Sequence, residues 1–386
     1  MTDEVSPLHC TSLHLFFLFN NFSEVFMYIF AIESSCDETS AAVLDCSEDG
    51  IRVLSNIVSS QIAIHALYGG VVPEIASRAH CESVTGVVRE AVDASGITLD
   101  QIEAVAVTFA PGLIGSLLVG VSFAKSLASV LNVPLIPVNH IEAHVAAAYI
   151  ENPTLKPPYL ALVVSGGHTS LYQVKDYLTF EEIGCSRDDA CGEAFDKVGR
   201  VMGLPYPGGA AMDKLAARGF ELYDYKKKGA LSFPSPATHD DTLEFSFSGL
   251  KTAVINHIHN EKQKRKVEDL PDEVRAEIAG AFTKTVCDGI TKKLSDALER
   301  TGTKTLVMAG GVAANSHLRA AVAEVCARHR VEFMVPSLPL CGDNAAMVGA
   351  AGYHMHVCGI HADSSLNAYA SDEACEEYLD GLKASH

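Results

Sequence analysis

The stretches YIFAIESSCDETSAAVLD (28–45) and YLALVVSGGHTSLYQV (159–174) hold the key to the fold. Each is an apolar run, a tight turn of small residues ending in Thr-Ser, and a second apolar run, which is the pattern of a β-hairpin. They align with a single gap that pairs Thr39-Ser40 with Thr169-Ser170. Each half then reaches a second matching unit. AVAVTFAPGLIGSLLVGVSFAKSLA (104–128) and TLVMAGGVAANSHLRAAVAEV (305–325) both read as strand, glycine turn and amphipathic helix. A hairpin followed by strand, turn and helix, used twice, predicts a duplicated α/β fold of two similar lobes with a cleft between them.

Around these units the first lobe is expected over 27–152 and the second over 153–343, with Pro153, Pro157 and Pro158 marking the link. The second lobe carries a largely helical insertion at about 187–298 that includes Pro271 at a helix start. A small-residue helix over 344–360 is expected to pack back on the first lobe, and 361–386 is a weakly determined tail. LHLFFLF (13–19) is too short to span a bilayer, and Asp3 and Glu4 stand where a signal peptide would be basic. Met27 is therefore expected to be the physiological start, with residues 1–26 an extension lacking a defined fold.

The 386 residues are 48% hydrophobic and 20% charged, enough to pack two lobes without covalent staples. A formal net charge of −19 argues against general binding to nucleic acid or membrane surfaces, so any RNA contact must use local basic patches. The densest are Lys226, Lys227 and Lys228, then Lys262, Lys264, Arg265 and Lys266, all within the insertion. Eleven cysteines without a CxxC pair indicate a reduced, cytoplasmic protein with no membrane partner.

VNHIEAHVAAAYI (138–150) places His140 and His144 four residues apart, on one face of a helix and close enough to share a cation. A third ligand is required. Asp343, where the loop of PLCGDNAAMVGAA (339–351) gives way to a helix, is the best candidate. The plainer readings are packing for the imidazoles and a helix N-cap for Asp343. Spacing leaves both open. A metallopeptidase of the HExxH type is disfavoured, because Glu142 lies at i+2 and is rotated from His140 by about 200°.

Two glycine turns occupy duplicated positions. VVSGGHTS (163–170) puts Ser165, Gly166 and Gly167 where backbone N–H groups can wrap a phosphate. AGGVAANSHL (309–318) puts Gly310 and Gly311 before a helix, with Asn315 suited to a ribose or base edge. ESSCDETS supplies Asp37 and Glu38 at the matching turn of the first lobe, and Asp196 and Asp213 flank the Gly208-Gly209 pair. Tight packing and helix capping would explain each singly; together they suggest one nucleotide-binding cleft. Cys36 and Ser165 are possible nucleophiles, but a buried thiol and a phosphate-turn hydroxyl are the plainer readings, so no covalent nucleophile is assigned.

AIESSCDETS, SSQIAIHALYGGVVPEIASRAH, HIEAH, VSGGHTS, GEAFDKVGRVMGLPYPGG, FSFSGLKTAV, GGVAANSHLR and CGDNAAMVG run in the order found in the TsaD family. The chain resembles this family, the bacterial tRNA N6-adenosine threonylcarbamoyltransferases once described as O-sialoglycoprotein endopeptidases, from about Tyr28 to Ala351. The resemblance implies an actin/hexokinase/Hsp70-like (ASKHA, ribonuclease H-like) fold. It implies metal ligation by His140, His144 and Asp343, with one divalent ion per subunit, Fe(II) first and Zn(II) as the alternative. It implies substrate contacts at Val163, Val164, Ser165, Gly166, Gly167, Asp196, Gly209, Asp213 and Asn315. Asp37, Glu38, His168, Gly310 and Gly311 are further candidates. Two features depart from the family pattern: the extension before Met27, and Ala210 where proline is common.

The implied reaction moves the threonylcarbamoyl group of threonylcarbamoyl-AMP to N6 of the adenosine 3′ of the anticodon in tRNAs reading ANN codons. Implied partners are tRNA, a TsaB-like paralogue and a TsaE-like ATPase. A small-molecule kinase of the same fold would be the rival enzyme and a nucleotide-dependent scaffold the rival binding protein. Neither has a use for the histidine pair.

Overall fold

The computed structural model describes residues 27–238 and 240–384; the expectations for residues 1–26 lie outside them. β1 (Met27–Glu33), β2 (Glu38–Ser47), β3 (Gly50–Ser60), β4 (Ala104–Ala110) and β5 (Leu135–Asn139) form one sheet in the order β3-β2-β1-β4-β5. β6 (Tyr159–Val164), β7 (Thr169–Asp176), β8 (Thr179–Cys185), β9 (Thr305–Ala309) and β10 (Glu332–Met334) form a second in the order β10-β9-β6-β7-β8. The two orders are the same. In each sheet the first three strands are antiparallel, while the first and fourth, and the fourth and fifth, are parallel. The duplication read from the sequence is therefore a duplication of topology.

The ten principal helices are α1 (Pro73–Ser95), α2 (Ile114–Leu131), α3 (His140–Glu151), α4 (Cys191–Val201), α5 (Gly208–Leu222), α6 (Ser248–Arg265), α7 (Asp272–Thr301), α8 (Ser316–His329), α9 (Ala345–Val357) and α10 (Asp372–Ala384). Between β3 and β4 the chain uses one long helix, α1. Between the equivalent β8 and β9 it uses four, α4 to α7.

Strand periodicity explains how the layers stack. In β6, Leu160, Leu162 and Val164 enter a core with Phe195, Phe247 and Phe282, while Tyr159, Ala161 and Val163 face the core shared with the first sheet. All six are fully buried, and replacing a leucine such as Leu162 by alanine would cost about 2–5 kcal/mol. In the first sheet, Gly120 of α2 lies against Ile32, whereas Gly349 of α9 lies against Leu44, the cross-strand partner of Ile29. Ile29 and Ile32 point to opposite faces, so α2 and α9 cover the sheet from its two sides. α3 and α9 pack together, with α3 also reaching β6 and β9. Thus the helices bearing the histidine pair and the residues after Asp343 lie where the two sheets meet.

α2 is, among the described residues, the one helix long and apolar enough to cross a bilayer. Here Leu117, Val121, Ala124 and Ala128 are buried in the first core. Beyond residue 361, where the sequence gives little sign of structure, Leu366, Ala368, Cys375 and Leu379 join the same core, and Tyr369 and Tyr378 pack on Phe109.

Candidate metal and donor site

Two asparagines set up the site by capping helices. Asn139 accepts hydrogen bonds from the N–H groups of Ile141 and Glu142, which starts α3 at His140. Asn344 accepts from Met347 N–H and starts α9, so the neighbouring Asp343 is not the cap. Its carboxylate instead faces the first turn of α3. Asp343 Oδ1 lies 3.1 Å from His144 Nε2 and 3.7 Å from His140 Nε2. One ligand atom from each of the three residues falls within 4.8 Å of the others.

The electrostatics call for a cation. Burial pulls His140 toward the neutral form, but Glu33 and Asp343 more than offset this and push its pKa up to about 9. Burial would raise Glu33 and Asp343, yet the imidazoles hold both below the ordinary carboxylate range. Two ionised carboxylates thus flank two imidazoles. His144 is 1% exposed; its Nε2 meets Asp343, and its Nδ1 has no hydrogen-bond partner among the described residues. A buried imidazole with an orphan nitrogen is costly to keep in place. The donor set of two imidazoles and one carboxylate fits a divalent metal of the Fe(II) or Zn(II) type.

Glu33 escaped the sequence reading. Its Oε2 lies 3.2 Å from His140 Nδ1 and accepts from Thr108 Oγ1, while Oε1 accepts from Ser35 N–H. It therefore orients the ring from behind the nitrogen that faces Asp343. Asp372, from α10, was also unforeseen: it accepts from Asn139 Nδ2 at 3.2 Å and lies 3.9 Å from His168 Nε2. Burial, then His140 and His144, hold His168 down at about 4, so its ring is neutral at pH 7.

The glycine turns meet at the same end of the sheets. Gly310 has φ +90°, and a Cβ there would overlap the Val164 carbonyl oxygen, so only glycine lets the second turn press on the first. Gly192 packs equally closely on Ser165 and Gly166. Ser165 closes its turn by accepting from His168 N–H through Oγ and donating its own N–H to His168 O. Gly166, Gly167, Gly209 and Gly311, by contrast, face open space. Asp196 accepts from Gly208 N–H at 2.7 Å, which holds the start of α5. Asn315 caps α8 through Oδ1, leaving its amide nitrogen for other partners. Asp213 is neither a cap nor fully exposed: Oδ2 accepts from Ser316 N–H and Oγ–H, and Oδ1 is buried without a hydrogen-bond partner among the described residues.

The first lobe contributes its own turn. Burial raises Asp196, and the charge of Asp37 in the first lobe adds to the rise. Burial, Asp343 and Asp37 push Glu38 up to about 9, leaving it protonated at pH 7 as a hydrogen-bond donor. Burial and the same carboxylates push the Cys36 thiol well above its usual range, which disfavours a thiolate nucleophile. His80 pins this turn, with Nδ1 2.7 Å from Thr39 Oγ1 and Nε2 3.0 Å from the Cys36 carbonyl.

The family model of TsaD, tRNA N6-adenosine threonylcarbamoyltransferase, matches residues 52–350. A tRNA N6-adenosine threonylcarbamoyltransferase of Geobacter sp. (strain M21) is 50% identical over 344 residues, covering 89% of this chain and 95% of the relative. Another, from Clostridium botulinum (strain 657 / Type Ba4), is 48% identical over 340 residues, covering 88% and 96%. Among solved structures, T.kodakarensis HypF is similar with a TM-score of 0.56 at 14% identity, covering 89% of this chain and 50% of that one. Full-length HypF in its phosphate- and nucleotide-bound form gives 0.53 at 14%, covering 86% and 47%. That likeness concerns the fold, which is the two-lobe actin/hexokinase/Hsp70-like arrangement. The family match and the near-50% identities together establish that this chain belongs to the TsaD family of tRNA N6-adenosine threonylcarbamoyltransferases.

Proposed function

We propose that this chain transfers the threonylcarbamoyl group of threonylcarbamoyl-AMP to N6 of the adenosine 3′ of the anticodon in tRNAs reading ANN codons. The observation that carries this reading is the convergence of His140, His144 and Asp343 with the open glycine turns, in a chain of this family. N6 attacks the carbamoyl carbonyl carbon, the anhydride C–O bond breaks, AMP leaves with the electron pair, and N6 gives up a proton. His140, His144 and Asp343 would hold a divalent metal, Fe(II) in preference to Zn(II), which would supply Lewis-acid stabilisation of developing negative charge.

The chain's own groups position the reactants. Backbone N–H groups of the 163–167 turn hold the donor phosphate, and the open faces of Gly166, Gly167 and Gly209 leave room for it. The Asn315 amide nitrogen and Asp213 take the ribose. An exocyclic adenosine amine is a weak nucleophile, so much of the acceleration comes from holding it near the carbonyl. A TsaB-like paralogue and a TsaE-like ATPase complete the cytoplasmic machinery. The test is reconstitution with tRNA, threonine, bicarbonate, ATP, an adenylate-forming enzyme and these partners, followed by nucleoside mass spectrometry. Threonylcarbamoyladenosine that depends on this chain is expected; its absence from the complete mixture overturns the reading.

A further inference from the structure

We propose that the end of α5 and the loop after it, residues 220–231, form the surface on which the RNA backbone docks. The proposal rests on the transferase reading and adds where the acceptor is gripped. The loop is anchored at Tyr225. Tyr225 wedges between α5 and α7, beside Gly219 and Gly280, and its hydroxyl donates to the Glu277 carbonyl at 2.9 Å. Asp224 turns the chain by accepting from the N–H groups of Lys226 and Lys227. Lys226, Lys227 and Lys228 are thereby presented to solvent, and none of them forms an ion pair among the described residues.

The other basic run differs. Glu261 pairs with both Lys264 and Arg265, at 3.3 Å and 2.9 Å. In a chain of net charge −19, three adjacent unneutralised ammonium groups are the feature that polyphosphate recognises. Aromatic rings accompany them. Phe220, 36% exposed, packs 5.4 Å from Tyr225, which packs 6.4 Å from Tyr223. Phe220, the exposed ring of the three, can meet an unstacked base beside the lysines. A cavity of about 430 Å³ between Tyr223, Lys227, Lys228, Leu231 and Glu277 is of small-ligand size.

This surface is connected to the cleft. Phe220 lies 4.6 Å from the ring of His317, and His317 Nε2 lies 3.9 Å from Asp213 Oδ1. α5 has 15 residues, so its two ends are about 22 Å apart, a gap that several nucleotides of RNA bridge. RNA gripped at the lysines can therefore extend to the Gly208-Gly209 end.

The test measures binding of an anticodon stem-loop RNA by the full chain with its partners across a salt series. Lys226→Gln/Lys227→Gln/Lys228→Gln should weaken binding about tenfold near 0.1 M salt and flatten the slope of log affinity against log salt by about 2 to 3. Lys264→Gln/Arg265→Gln removes two cations that share Glu261 and should leave both nearly unchanged. Metal content and donor affinity should match the wild type in both variants. If the wild type modifies tRNA but the two variants weaken binding equally, or not at all, the docking surface is overturned while the transferase reading stands. If the wild type with all components neither binds nor modifies tRNA, the transferase reading fails and the docking proposal falls with it.

Discussion

His140 Nδ1 lies 3.2 Å from Glu33 Oε2, and the opposite ring nitrogen faces Asp343 at 3.7 Å. One imidazole is thus held between a fully buried carboxylate and the candidate metal position. A carboxylate behind a ligating histidine fixes ring orientation and raises ligand basicity. Glu33→Gln preserves the shape and removes the charge. Titration of the metal-free protein with Fe(II) under anaerobic conditions, or with Zn(II), should show a 10- to 100-fold loss of affinity, roughly the range for such partners. Equal affinities would reduce Glu33 to a packing residue.

His144 makes a prediction for stability with and without metal. Its Nε2 lies 3.1 Å from Asp343 Oδ1, so His144→Leu, apolar and of comparable bulk, strips a buried carboxylate of one partner. The metal-free variant should melt below the metal-free wild type, and the rise in melting temperature on adding metal should vanish. A variant that still gains stability from stoichiometric metal would remove His144 from the ligand set.

Why some of this was legible in sequence and some not follows from separation along the chain. The hairpins announced themselves because two short apolar runs joined by a small-residue turn ending in Thr-Ser are a local pattern. His140 and His144 were visible because helical spacing puts them on one face. Asp343 was visible only as a candidate, since its alternative role as a cap depended on whether Asn344 would take it; the structure gives the cap to Asn344. Glu33 sits 107 residues from His140 and reads as the polar end of a strand, so no local pattern joins them. Asp372 opens α10, and its link to Asn139 spans 233 residues. The difference between the two basic runs was equally hidden, because it depends on where Glu261 points.

Away from the site, His354 provides a pH test. Its ring stacks on Tyr177 with centroids 4.1 Å apart and planes at 7°, and lies 4.7 Å from Tyr149. Burial pushes its pKa from the ordinary 6.5 down to about 4. The unfolded chain then binds more protons than the folded one below pH 6.5, so stability falls as pH drops from 6.5 toward 4. His354→Phe keeps the stack and removes the titration. Urea unfolding should show the wild type losing up to about 3 kcal/mol relative to the variant over that window. Parallel pH profiles would show that His354 charges as readily folded as unfolded.

Gly209 separates packing from substrate contact. A Cβ there would meet nothing within 4 Å, whereas at Gly208 it would lie 3.1 Å from the Phe195 carbonyl oxygen. Gly209 is the second residue of α5, where alanine should stabilise the helix by about 0.5–1 kcal/mol. If its bare backbone faces the donor, the added methyl occupies donor space. Gly209→Ala should therefore unfold at higher denaturant concentration and yet bind threonylcarbamoyl-AMP about tenfold more weakly or worse. Gly310→Ala should behave differently, because φ is +90° and its Cβ would overlap the Val164 carbonyl; there the unfolding midpoint itself should fall. A Gly209→Ala protein that binds the donor as tightly as the wild type would place the donor away from the start of α5.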